Sequence, residues 1–490
     1  MRNLAAALAL LAAAPTPGKG GRLPQHVTLL YLADLGGQLE PCGCSLDQRG
    51  GLPRVATLLS RLRAENPDTW LVGGGDLLFE TEALAPEARR REMLKAGAVA
   101  QALRLVRLDA STEGERDLAG GEGFARDSGL PFRRGTRLGP IGIGEWGNVP
   151  EAPVRIAVVH RGGTREALPL AAEARRLGIQ ILLASHRRSL FDDDANRVLL
   201  DAPVPVVQVQ GRGQSLARID LWLRGDPSRG FAVLRGAAQR DEELEVSAER
   251  RREYARRRDA AAAAGGGELA AALSAKIAEL EGRERSLRQT PLRSPPADRP
   301  SLVVSFIPVG PDVPEDRAVR AVLTRYYGEV ARLNLASARA AGRPCPDPSS
   351  GKASYIGLDD VPRGGTFACK ACHPAAWAFW RKTGHARAYA TLADRSRQFD
   401  LDCVRCHVTG WMEPGGACSV AATEGRQDVQ CESCHGPASL HAVDPPGHLD
   451  AVVPVGRCRG CHTPDASTGF DEASYRRRIL GPGHGQGGPR

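Results

Sequence analysis

From His26 to about Arg224, short apolar runs rich in β-branched residues alternate with stretches whose apolar positions recur every three to four residues. VTLLYLAD (27–34), TWLVGGGD (69–76), VRIAVVH (154–160) and IQILLASH (179–186) predict buried strands. LPRVATLLSRLRAE (52–65), REMLKAGAVAQALRLVRL (91–108) and TREALPLAAEARRLG (164–178) predict helices between them. Such alternation predicts an α/β sheet that delivers polar residues at its carboxyl edge, here Asp34, Asp76, His160 and His186. VPVVQVQG (204–211) and SLARIDLWLRG (215–225) add two strands and close a first domain at 26–225.

The pattern then changes. Residues 240–300 are charged and Ala-rich, with a Gly break at 265–267, and Leu269, Leu273, Ile277, Leu280 and Leu287 fall on one helical face. A helical hairpin acting as connector and linker is expected, with a homodimeric coiled coil as the alternative. A short α/β segment and loop (301–351) follow, then a last domain at 352–490 with few apolar runs. At the N-terminus, Arg2 and the apolar run Leu4–Ala14 predict a signal peptide over 1–22. Eleven apolar residues fall short of the roughly 20 needed to span a bilayer, so an exported, periplasmic, soluble chain without a transmembrane span is expected.

The 490 residues are 42% apolar and 25% charged, enough for two or three cores. The net charge of +9 is not interleaved with aromatics as a base-stacking surface requires, so no nucleic-acid partner is expected. The informative residues are cysteine and histidine. CKACH (369–373), CVRCH (403–407), CESCH (431–435) and CRGCH (458–462) each place two thiols on one turn, followed at once by an imidazole. That spacing lets Cys369 and Cys372, Cys403 and Cys406, Cys431 and Cys434, and Cys458 and Cys461 form thioethers with haem vinyl groups, while His373, His407, His435 and His462 bind iron. A zinc ribbon has no need of a His after every second Cys.

Four covalently bound haem c groups therefore face four leftover histidines, His385, His441, His448 and His484. The count permits bis-histidine ligation throughout and leaves the pairing open, with Met412 as a substitute for one ligand. If His484, in GPGHGQGG, does not bind, one haem is five-coordinate.

CKACHPAAWAFWRKTGHARAYATL (369–392), LDCVRCHVTGW (401–411) and VQCESCHGPASLH (429–441) resemble the tetrahaem cytochrome c family associated with nitrification, over about 352–465. That resemblance implies a mostly helical and irregular domain of close-packed haems, redox partner proteins, and His385 and His441 as distal ligands. LADLGGQLEP (32–41), GERD (114–117), AVVHRGG (157–163) and LLASHRR (182–188) resemble the metallophosphoesterase sandwich of periplasmic 5'-nucleotidases. The resemblance implies a two-metal site, of which Asp34, Asp76, His160 and His186 remain as a residual site for one divalent metal. They also read as capped strand ends. Gly36 stands where the family has a ligand His, Glu115 for the bridging-site Asn, Arg116 for the catalytic His, and Arg188 for the last ligand.

Of the remaining cysteines, Cys42 and Cys44 flank a glycine in the loop after the first strand. With Cys345 and Cys418 they allow three disulfide pairings, one of them Cys42–Cys44 with Cys345–Cys418; the alternative to a structural disulfide is a redox or metal-binding role for Cys42 and Cys44. The leading expectation is a multidomain electron carrier with a degenerate phosphoesterase-like domain. The alternatives are a haem oxidoreductase acting on a small nitrogen or sulfur compound, and a metal-dependent phosphoesterase or thioester-type hydrolase with a redox appendage.

Overall fold

The computed structural model describes residues 25–41, 48–186, 196–226, 230–341, 345–347, 349, 351–358, 369–445, 448–450, 452–463, 467, 470–481 and 484. The expected signal peptide, Cys42, Cys44 and Arg188 lie outside the described residues.

Two six-stranded sheets form the N-terminal domain. The strands are β1 (His26–Leu32), β2 (Thr69–Gly73), β3 (Ala110–Ser111), β4 (Gly135–Leu138), β5 (Ile141–Glu145), β6 (Val154–His160), β7 (Ile181–Ser185), β8 (Arg197–Leu199), β9 (Val206–Gln208), β10 (Ser215–Trp222), β11 (Ala232–Arg235) and β12 (Ser301–Pro308). The first sheet runs β11-β12-β10-β1-β2-β3 and the second β4-β5-β6-β7-β9-β8. The helices of this part are α1 (Leu52–Glu65), α2 (Arg89–Leu105), α3 (Glu122–Asp127), α4 (Thr164–Ala167), α5 (Ala171–Arg176), α6 (Ala237–Ala263), α7 (Gly267–Gln289) and α8 (Arg317–Ala341).

Side-chain alternation along each strand explains the layering. In β1, Val27, Leu29 and Tyr31 point between the sheets, where they meet Ile143, Ile156, Ile181 and Leu183. Leu30 and Leu32 point the other way, into a core shared with α1, α2 and α8. The outer face of the second sheet buries Ala157, Val159 and Leu182 against Ala167, Ala171 and Ala174 of the short helices. The result is a helix, sheet, sheet, helix sandwich, the α/β class expected.

Chain continuity differs from the sequence reading. β12 pairs antiparallel with β10 along eight residues and parallel with β11, so the first sheet is completed only after residue 300. The predicted helical hairpin, α6 with α7, is an excursion between two strands of one sheet. Leu273 and Leu287 are buried in it, and a buried carboxylate, Glu284, pins it by accepting from Ser247 Oγ (3.1 Å) and Arg251 Nε (3.3 Å). Leu269 stays 54% exposed.

Helix α8 serves two cores. Val319, Val322, Leu323, Tyr326, Tyr327 and Val330 pack against α1 and α2. One turn further on, Asn334 Nδ2 donates to Phe399 O (2.8 Å), and Leu335 and Ala338 cover Val404 and Val408 of the C-terminal domain. That domain consists of short helical turns joined by irregular chain, and its own apolar cluster is small. A disulfide joins Cys345 to Cys418 (Cα–Cα 5.1 Å). Among the described residues, no helix is long and apolar enough to cross a membrane.

Candidate functional site

The four CxxCH motifs start on helical turns at 369–372, 401–404, 431–435 and 457–460, and their eight cysteines are partly exposed and outside the disulfide. Whether these residues fit haem is tested by the imidazoles. His407 Nδ1 lies 2.5 Å from Ala388 O, His435 Nδ1 2.7 Å from Asp450 O, and His462 Nδ1 2.8 Å from Ser467 Oγ. A proton on Nδ1 satisfies each acceptor and leaves the Nε2 lone pair for iron, the tautomer a metal-bound imidazole requires. Burial lowers the pKa of His407 and His462, and of His385, which His462 depresses further. Burial thus favours the neutral form, the one that binds a metal.

Two leftover histidines face motif histidines. His373 and His441 have ring centres 6.3 Å apart, and His385 and His462 6.2 Å apart. With metal–nitrogen bonds of about 2 Å and a ring centre about 1.2 Å behind each nitrogen, two axial imidazoles on one iron stand about 6.3 Å apart. The residues therefore fit the group. His448 lies on the surface 3.5 Å from Asp444, and His484 stands edge-on to Phe379, 6.3 Å between centres. Met412 is 43% exposed.

Sequence reasoning missed the residues that hold this array together. Glu432, between the cysteines of the third motif, is 2% exposed and accepts from Ile356 N, Gly357 N and Ala438 N (2.7–3.2 Å). Residues 428 and 429 bridge two of these histidines: Asp428 N donates to His407 O and Val429 N to His385 O, while Trp380 Nε1 donates to Val429 O. The signal available was an acidic residue inside a haem motif, which is indistinguishable from a solvated one.

In the N-terminal domain, Asp76, Glu115, His160 and His186 place one ligand atom each within 4.8 Å of one another. Three of the predicted strand-end residues, Asp34, Asp76 and His186, adopt positive φ (51°, 53° and 60°). Non-glycine residues rarely adopt this conformation, which costs on the order of 1–3 kcal/mol each and concentrates at ligand sites. Asp76 Oδ2 is 2.8 Å from His186 Nδ1, and Asp76 Oδ1 is 3.3 Å from His160 Nε2. Glu115 Oε2 lies 2.8 Å from His160 Nε2 and 3.5 Å from His186 Nδ1. His160 Nδ1 faces Gly74 O (3.0 Å) and Ser185 Oγ (2.9 Å), and Ser185 itself donates to Gly74 O. The proton therefore sits on Nδ1. The opposite nitrogen, Nε2, is buried and aimed at carboxylate oxygens without hydrogen-bond geometry.

Burial alone would lower the pKa of His160, but the carboxylates around it, Asp76 first, outweigh it and raise it to about 9. Asp76 is correspondingly held far below the usual carboxylate range, against its own burial. The cluster concentrates negative charge, which a divalent first-row metal with two imidazole and two carboxylate ligands would balance.

Asp34 supports the cluster: its Oδ1 accepts from His186 N (2.9 Å), and Glu115 takes the fourth place. Arg116 lies 3.5 Å from Asp76 Oδ2. Gly114 is required by space, since a Cβ there would lie 2.3 Å from Asp76 Oδ1. Asp117, unassigned from sequence, is fully buried and accepts from Leu77 N, Leu78 N and Gly114 N. It ties the loop after Asp76 to the loop before Glu115. A cavity of about 890 Å³ opens beside the cluster, lined by Glu115, His160, Arg126, Arg134, Phe132 and Trp146 among others.

Residues 368–436 match the family described as cytochrome c554 and c-prime. Cytochrome c-554 of Nitrosomonas europaea is 34% identical over 93 residues, covering 16% of this chain and 40% of the relative. The chain thus spans less than half the length of that relative. Similar solved structures include the sulfate thiohydrolase SoxB of Thermus thermophilus (14% identity, 65% of this chain and 62% of that one, TM-score 0.36). A 5'-nucleotidase precursor from the same organism is similar at 14% identity (63% and 59% covered, TM-score 0.34). So is the calcineurin-like phosphoesterase YfkN of Bacillus subtilis, at 19% (41% and 86%, TM-score 0.31).

Proposed function

We propose that this chain is an exported, periplasmic tetrahaem electron carrier whose N-terminal domain holds one divalent metal and does not hydrolyse phosphoesters. The observation that carries the reading is the pair of imidazole couples at iron-spanning distance, on a segment that matches a cytochrome c family. Haem supplies one-electron redox chemistry when bound. The chain supplies the rest: Cys369 and Cys372, Cys403 and Cys406, Cys431 and Cys434, and Cys458 and Cys461 anchor four groups, with His373, His407, His435 and His462 as proximal ligands. His441 serves with His373 and His385 with His462. Ligands drawn from different motifs staple the domain through its haems, which accounts for the small apolar cluster. The exposed His448 leaves a role at the second or third haem to His484 or to an open position.

Export is supported by the apolar run at 4–14 and by the Cys345–Cys418 disulfide, which needs an oxidising compartment. Redox proteins are the partners. The hydrolase alternative is favoured by the cluster at Asp76 and weakened by its composition. Arg116 pairs with Asp76, so a guanidinium charge sits where a second cation and a catalytic His would act. Intact mass and electron-paramagnetic spectra of protein matured in a periplasm test the reading. Four added haem masses with mainly low-spin signals are expected. Two or fewer haems, or stoichiometric zinc on the thiols, would refute it.

A further inference from the structure

The loop before the second haem motif carries two arginines, Arg395 and Arg397, that meet a carboxylate from the other domain. Glu40, in the loop after β1, is 2% exposed and buried against α8. It pairs with Arg320 of α8, with Arg395 (3.2 Å) and with Arg397 (3.5 Å). Arg397 is itself mostly buried, lies over the Tyr327 ring at 5.5 Å, and donates from Nη2 to Cys403 Sγ at 3.1 Å. Its guanidinium is therefore fixed between an N-terminal-domain carboxylate and the sulfur that carries the second haem. The other charges around the motif include Arg405 within it, which hydrogen-bonds Cys406, Asp428 beside His407, Asp400, whose carboxylate caps Asp402 N, and Asp402, which faces Arg91 (3.5 Å) and Lys95 (3.9 Å) of α2.

We propose that Arg397 is a positioning residue that sets the reduction potential of the haem on Cys403 and Cys406, and that the N-terminal domain acts on that haem through Glu40. The proposal rests on the haem reading of residues 403–407. Reduction adds one electron to the iron and makes or breaks no bond, so a nearby fixed positive charge favours the ferrous state and a negative one opposes it. Both groups are shielded from solvent, where salt screens weakly. Arg397 stands at the haem sulfur and Glu40 behind it, so their effects oppose each other and Arg397 dominates.

The test is spectroelectrochemical titration of the full, haem-loaded chain, with an electrode supplying one electron per ferric iron. Arg397→Gln should lower one component of the titration, reducing its ferrous-to-ferric ratio at fixed potential about tenfold, or ~59 mV for one electron. The other components should stay in place. Glu40→Gln should move the same component in the opposite direction, and Arg397→Lys should largely preserve it. Disruption of the interface alone would move it the same way in Arg397→Gln and Glu40→Gln, and that result overturns the proposal. So does an Arg397→Gln protein with every component unmoved. If Arg397→Gln does not accumulate, Glu40→Gln decides: no upward shift refutes the proposal. Intact mass separates the two layers of the argument. A wild-type chain lacking the second haem sinks the haem reading and this inference together, whereas full haem load with unmoved potentials sinks the inference alone.

Discussion

Asp117 offers the most direct test of how the N-terminal cluster is built. Its carboxylate is fully buried and accepts three backbone N–H bonds, from Leu77 (2.7 Å), Leu78 (2.8 Å) and Gly114 (3.0 Å). Asp117→Ala leaves all three amides unsatisfied in the interior, where each orphaned donor costs roughly 1–3 kcal/mol. Removing a buried charge returns part of that cost, so a net loss of about 3–5 kcal/mol is expected. Asp117→Asn keeps one oxygen for Leu77 and Leu78 but turns an amino group toward Gly114 N, for a loss of about 1–2 kcal/mol. Because the three amides flank Asp76 and Glu115, the Ala variant should also lose bound metal. Calorimetric unfolding of the full chain, with metal content by mass spectrometry, measures both. An Ala variant within about 1 kcal/mol of wild type and with unchanged metal would refute the reasoning.

Burial raises the Asp117 pKa to about 7, so the folded state binds this proton more tightly than the unfolded chain. The stabilisation is present in full below about pH 4 and is lost as pH rises through 7, so Asp117→Asn should flatten the slope of unfolding free energy in that window. His441→Ala and His385→Ala should each convert one low-spin haem to high-spin, whereas His448→Ala should leave the electron-paramagnetic spectrum unchanged; a high-spin signal from His448→Ala would overturn the ligand assignment. Purified protein should carry one divalent metal per chain, reduced at least tenfold in His160→Ala. Turnover of AMP with added manganese should stay far below the roughly 10 per second of a competent enzyme.

Strands β1, β2, β6, β7, β9 and β10 and the helices between them at 52–65, 89–105 and 164–176 were legible because these strands are buried on both faces, which writes continuous apolar runs, and the helices are buried on one. The short β3, β4, β5, β8 and β11 and helix α3 carry too little pattern to be read. Asp34, Asp76, His160 and His186 were legible as strand ends. The place of Glu115 among the ligands was not, since it lies in a loop whose path depends on Asp117 and Gly114. The passage of the chain through α6 and α7 and back into the sheet at β12 was hidden for a similar reason. Pairing between β10 and β12 spans a long, polar excursion, and no local pattern encodes it. In the C-terminal domain the CxxCH motifs were plain from spacing, but the histidines that face His373 and His462 come from distant turns. Counting supplied four candidate ligands without pairing them. Structure then brought together two pairs and left His448 and His484 apart from them.

The double duty of α8 bears on how such a protein is inherited and engineered. Its first turns fill the floor of the sandwich with Tyr326 and Tyr327, and its last turns roof the second haem motif. A gene fragment cut at residue 352 strips the cytochrome part of that roof. One cut at 317 carries an apolar face into solvent. The two halves are therefore not interchangeable cassettes, and recombination that exchanges one must carry a matching α8 with it. A graft that replaces either half alone should leave the tyrosines or the residues above Val404 facing a surface not shaped for them.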